Sequence, residues 1–100
     1  MSFVQKKPLV AEMELIGAGL HQARVAANLA LQDIADRTKI SLRFLTAIEN
    51  DDFSVLPGRV FIFGFTRAFA RVVGLGEESV MAALREKMRL AAIEELTTRQ

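Results

Sequence analysis

Apolar residues recur at helical steps of three and four in five separate stretches of this chain, and no stretch alternates in the two-residue rhythm of a strand. Leu15, Ile16, Leu20, Ala23 and Ala27 step along a first helix that the pattern places between Leu9 and Leu29. Gly17 and Gly19 weaken it by up to about 1 kcal/mol each relative to Ala, and Asn28 suits a left-handed end. Ahead of it, residues 1–8 are expected to form a loose lead-in, because Pro8 fits a first helical turn and little before it could pack.

Two short helices follow one tight turn apart, Leu31 to Arg37 and Leu42 to Glu49. Ile34 and Ala35 on the first, Ile40 in the turn, and Leu45 and Ile48 on the second fall where a helix-turn-helix needs buried side chains, and the small Ala35 lets the two helices cross closely. Ala30 stands where a Ser or Asp cap would be expected, a loss of about 1 kcal/mol, whereas Ser41 caps the second helix of the pair. Turn signals at Asn50-Asp51-Asp52 and Leu56-Pro57-Gly58 bracket Phe53, which is expected to anchor that loop to the core. A fourth helix runs from about Arg59 to Val73 and stops at Gly74. The fifth starts near Glu77, with Glu77 and Glu78 at its positive end and Val80, Met81, Leu84 and Met88 as its stripe. Past Leu90 the stripe thins to Ala91, Ala92 and Leu96, so residues 91–100 form a helical tail expected to fray or to need a partner. The pattern therefore gives an all-α fold of five helices, with the helix-turn-helix domain spanning residues 9–90.

Composition narrows the function. One hundred residues with 51% hydrophobic content make one compact domain. Thirteen basic against twelve acidic side chains leave a formal charge of +1, weak for a protein that must neutralise several phosphates. There is no cysteine, hence no disulfide framework and no thiolate site. No uncharged stretch approaches the roughly 20 apolar residues that span a bilayer. Lys6 and Lys7 are followed by Pro8, Glu12 and Glu14 rather than by a signal-peptide core, so a cytoplasmic location is expected.

A groove-reading helix presents Arg, Asn, Gln, Ser or Thr to bases and phosphates. Here the outward candidates include Leu42 and Phe44, with only Ser41, Arg43 and Thr46 polar. From Leu42 to Asp52, Arg43 faces Glu49, Asp51 and Asp52, leaving that segment two units negative, and the apolar Leu31 opens the preceding helix. Both features oppose docking to DNA. Helix four instead gathers Phe61, Phe63, Phe65 and Phe69. Phe61, Phe65 and Phe69 are four apart and share a broad face, while Phe63 points elsewhere and meets Arg59, Arg67 and Arg71. A small domain cannot bury every ring, and exposed aromatics flanked by arginine have the composition of an interaction hot spot. Taken alone, the three arginines fit a solvated face paired with Glu or Asp. His21 is the only histidine and reads as an ordinary helix residue. Glu49, Asp51 and Asp52 lack the spacing of a calcium loop, and no phosphate loop or nucleophile elbow is present, so neither metal, cofactor nor enzyme activity has residues to carry it.

At this point the chain resembles a known family, the N-terminal cytoplasmic domain of the bacterial cell-shape protein RodZ. The resemblance covers about Ile16 to Leu75. It rests on Leu31-Gln32-Asp33-Ile34-Ala35, Thr38 to Leu45, Ala47-Ile48-Glu49, Asp52-Phe53, Leu56-Pro57-Gly58-Arg59-Val60 and Gly64 to Arg71. It implies a five-helix domain of the phage-repressor, Xre-like class that binds the actin-like filament protein MreB in place of DNA and couples it to the inner membrane through a later transmembrane helix. The family's filament-binding aromatics map onto Phe61 and Phe65, and the neighbouring Arg67 and Arg71 match its pattern. Ile62 and Phe63 depart from the small and basic residues usual there, Ala30 replaces the usual cap, Gly17-Ala18-Gly19 with His21 replaces a more charged helix, and the membrane segment is missing. Phe63 thereby widens the apolar patch or alters the partner. Two other readings compete: a transcriptional regulator using Ser41, Arg43 and Thr46 in the major groove, and self-association through the helix-four patch or the helix-five tail.

Overall fold

The computed structural model describes residues 16–98. Both the 1–8 lead-in and the Leu9–Leu15 part of the expected first helix lie outside the described residues. Five α-helices follow in order, α1 (Ile16–Ala26), α2 (Leu31–Thr38), α3 (Leu42–Glu49), α4 (Arg59–Val73) and α5 (Glu77–Thr98), with a single 3-10 turn at Phe53–Val55. There is no strand among the described residues. The fold is an all-α helix-turn-helix domain of the Xre-like class.

Local chemistry sets most boundaries. Asn28 takes a left-handed φ of 61° just after α1, and Gly74 does the same at 78° after α4. Ala30 offers no capping side chain, but Asp33 reaches back so that its Oδ2 accepts from the Ala30 N–H at 2.8 Å, which is half of a capping box. Ser41 Oγ accepts from the Phe44 N–H at 3.5 Å. Between α2 and α3 the turn is closed by Lys39 at φ 63°, with its N–H bonded to the Ala35 carbonyl at 2.8 Å. Thr38 completes it, donating to the Ile34 carbonyl and accepting from the Ile40 N–H.

The core gathers one stripe from each helix: Leu20, Ile34, Leu45, Ile48, Phe69 and Leu84 are all fully buried. Phe53 is buried too and pins the loop between α3 and α4. The stripe on α5 is spent by Met88, and residues 90–97 are exposed.

Gly17 corrects the sequence reading of α1. It is not a mere weakness in the helix, because a Cβ there would lie 2.3 Å from the carbonyl oxygen of Glu49. Only glycine lets α1 cross the end of α3 this closely. The crossing is fixed by polar contacts: the Gly17 N–H donates to Asp51 Oδ1 at 3.1 Å, and Arg24 Nε donates to Glu49 Oε2 at 2.5 Å. Arg24 also donates to the Leu29 carbonyl at 2.8 Å, and His21 Nδ1 lies 3.0 Å from Glu49 Oε1. One guanidinium thus ties α1, the loop after it and the end of α3 into a single frame.

Candidate functional site

Helix α4 turns its core face inward through Ile62, Thr66, Phe69, Ala70 and Val73. That leaves two flanks, and the aromatic residues divide between them. On the flank toward α3, the Phe61 and Phe65 rings lie 5.5 Å apart at 60°. Phe65 in turn lies 5.7 Å from the Phe44 ring of α3. Phe61 remains 45% exposed and Phe65 half-buried. Leu42, at the start of α3, is 42% exposed, and Val60 on the outer ridge of α4 is 80% exposed. The Arg43 guanidinium stands over Phe44, 5.5 Å from the ring centre, within cation–π range.

The flank toward α5 is polar. Arg59 stacks over Phe63 at 5.3 Å. Glu77, at the start of α5, accepts from Arg67 Nη1 at 3.1 Å, and its two oxygens accept from Arg71 Nε at 2.8 Å and Nη2 at 3.0 Å. The bidentate Arg71 contact above all, aided by Arg67 against a smaller desolvation effect, holds the Glu77 carboxyl at about 2. These arginines meet the acid that a solvated face would supply, ten and six residues further along the chain.

The five residues singled out on α4 therefore fall into separate groups. Phe61 and Phe65 meet each other and are joined by Phe44, whereas Phe63 meets Arg59 and the Arg67–Arg71 pair meets Glu77. Phe69, grouped with Phe61 and Phe65 by spacing, is fully buried. Phe44, read from the sequence as outward, is half-buried because it leans onto Phe65. Its place in the aromatic group was missed, since four-residue spacing reports neighbours on one helix and not across two.

Ser41, Arg43 and Thr46, the residues that would read DNA, are all exposed. Ser41 already serves as a helix cap. The electrostatic objection to this face needs correction: burial pushes the Glu49 carboxyl up, but hydrogen bonds from Arg24 and His21 outweigh it and hold the group below its ordinary value. With Glu49 paired to Arg24, its charge is compensated locally, whereas Asp51, bound to the neutral Gly17 N–H, and Asp52 keep theirs, so the objection is reduced and not removed. Among the described residues no three His, Cys, Asp or Glu side chains converge to hold a metal ion. No helix there is long and apolar enough to cross a membrane.

Comparison with known proteins follows the same lines. Residues 19–80 match a family described as a helix-turn-helix domain. The cytoskeleton protein RodZ of Streptococcus pneumoniae (strain ATCC BAA-255 / R6) is 35% identical over 68 residues, which is 68% of this chain and 25% of RodZ. The uncharacterized membrane protein YmfM of Bacillus subtilis (strain 168) is 33% identical over 52 residues, 52% of this chain and 18% of YmfM. Each alignment thus spans a quarter or less of the relative's length. No solved structure matches.

Proposed function

We propose that this chain, which belongs to the helix-turn-helix domain family in a RodZ-like form, is a non-enzymatic adaptor that docks on an actin-like MreB filament in the maintenance of cell shape. The observation that carries the reading is the ring series Phe61, Phe65 and Phe44, left partly open to solvent on a chain similar to a protein named for the cytoskeleton. Rings that stay exposed in a small domain are more useful against a partner than against water. Phe61 and Phe65 form the centre of the docking face. Phe63 and the Glu77-bound Arg67 and Arg71 lie at its edge, on the far flank of α4. The adaptor works on the cytoplasmic side, where such a filament assembles, and its membrane association comes from a partner or from segments other than the described helices. Co-sedimentation with polymerised MreB tests this: the Phe61→Ala/Phe65→Ala double variant should remain in the supernatant while still folded, and undiminished pelleting would contradict the assignment.

A second reading, a DNA-binding regulator, is favoured by one observation. Ser41, Arg43 and Thr46 are exposed on α3, and the acid at its end is neutralised. Such binding requires a duplex-DNA shift that weakens steeply with salt and is lost in Arg43→Ala.

A further inference from the structure

We infer that the docking surface extends off α4 onto the first turn of α3, where Arg43 meets a carboxylate on the partner. This rests on the filament-docking reading and adds to it the chemistry of the partner's face: apolar, with an acidic side chain at its edge.

Two observations lead there. The contacts run without a break from Arg43 over Phe44 to Phe65 and Phe61, so the α3 turn and the α4 rings make one surface. Second, the charges are distributed unequally. Arg67 and Arg71 are occupied by Glu77, whereas among the described residues neither Arg43 nor Arg59 makes a salt bridge. Nor does the sequence place an acid between Ser41 and Thr46 or between Arg59 and Val73. The cation free to pair with a partner beside the exposed rings is Arg43. Stacking on Phe44 already orients its guanidinium, so less side-chain freedom is lost when it pairs. An aromatic cluster with one such arginine has the make-up of a hot spot.

Co-sedimentation of the whole chain with polymerised MreB, across a salt series, separates the possibilities. Arg43→Glu is expected to weaken binding about tenfold at low salt, with the deficit shrinking as salt rises. Leu42→Ala, two residues from Phe44 and so on another face of α3, should leave it unchanged. If Phe61→Ala/Phe65→Ala abolishes pelleting while Arg43→Glu pellets like the wild type, the inference falls and the docking reading stands. If no variant alters pelleting, both fall. A duplex-DNA shift lost in Arg43→Glu, with pelleting intact, would assign Arg43 to nucleic acid and likewise overturn the inference. Circular dichroism on each variant checks that the exposed substitutions leave the fold in place.

Discussion

Phe44 of α3 and Phe65 of α4 meet ring to ring at 5.7 Å and 31°, so the second helix of the helix-turn-helix pair braces the aromatic flank of α4. Because Phe44 is half-buried and Phe61 is the outermost ring of the series, their alanine variants should behave differently. Phe44→Ala is expected to lower unfolding free energy by about 1–3 kcal/mol and to weaken filament binding by loosening Phe65. Phe61→Ala should weaken binding while costing under about 1 kcal/mol of stability. Urea denaturation beside co-sedimentation measures both, and equal destabilisation by the two variants would contradict the assigned roles.

Gly17 and Gly19 look alike in sequence and should respond oppositely to alanine. A Cβ on Gly17 meets the Glu49 backbone, which cannot swing aside as a side-chain tip could, so Gly17→Ala is expected to cost about 1–3 kcal/mol. A Cβ on Gly19 meets nothing within 4 Å, and Gly19→Ala should add up to about 1 kcal/mol through helix propensity. Thermal melts of the two variants should bracket the wild type; a stabilising Gly17→Ala would refute the close crossing.

Thr66 is fully buried in the middle of α4, and its hydroxyl oxygen has no hydrogen-bond partner. Replacing it by the near-isosteric valine removes an unsatisfied polar group from the core. Thr66→Val is expected to raise stability by about 1 kcal/mol, read from the denaturation midpoint at unchanged slope. A loss of stability would mean that the hydroxyl is satisfied after all.

The link between α4 and α5 should respond to acid. Arg71, then Arg67, depresses Glu77 from 4.5 to about 2. A depressed carboxyl contributes stability that is fully present above its unfolded value and is lost as pH falls toward the folded one, so the link weakens between 4.5 and about 2. The groups are exposed and screened, so the effect on the melting temperature should be small. A carboxyl-carbon NMR titration should place Glu77 near 2 and show it rising toward 4.5 in Arg71→Ala. A Glu77 that titrates normally in the wild type would contradict the bidentate contact.

Much of the architecture is legible in the sequence because it is decided within a few residues. The Ser41 cap, the left-handed Asn28 and Gly74, the extent of α4 and the start of α5 at Glu77 follow from local backbone chemistry and spacing. Pairings between distant segments are not legible in the same way. Arg24 with Glu49, Gly17 with Asp51 and Phe44 with Phe65 join residues 25, 34 and 21 positions apart, whose proximity exists only once the helices have packed. The candidate site shows the same division. Spacing brings Phe61 and Phe65 together correctly, but it cannot show that α3 supplies the third ring or that Glu77 occupies Arg67 and Arg71.

The most direct test of the working surface is cross-saturation NMR on the labelled chain bound to polymerised MreB, because signal loss reports which residues lie against the filament. Loss concentrated at Arg43, Phe44, Val60, Phe61 and Phe65, and weaker at the Phe63, Arg67 and Arg71 edge, is the predicted result. Loss concentrated on the Arg67, Arg71 and Glu77 flank, or no residue affected, would contradict it.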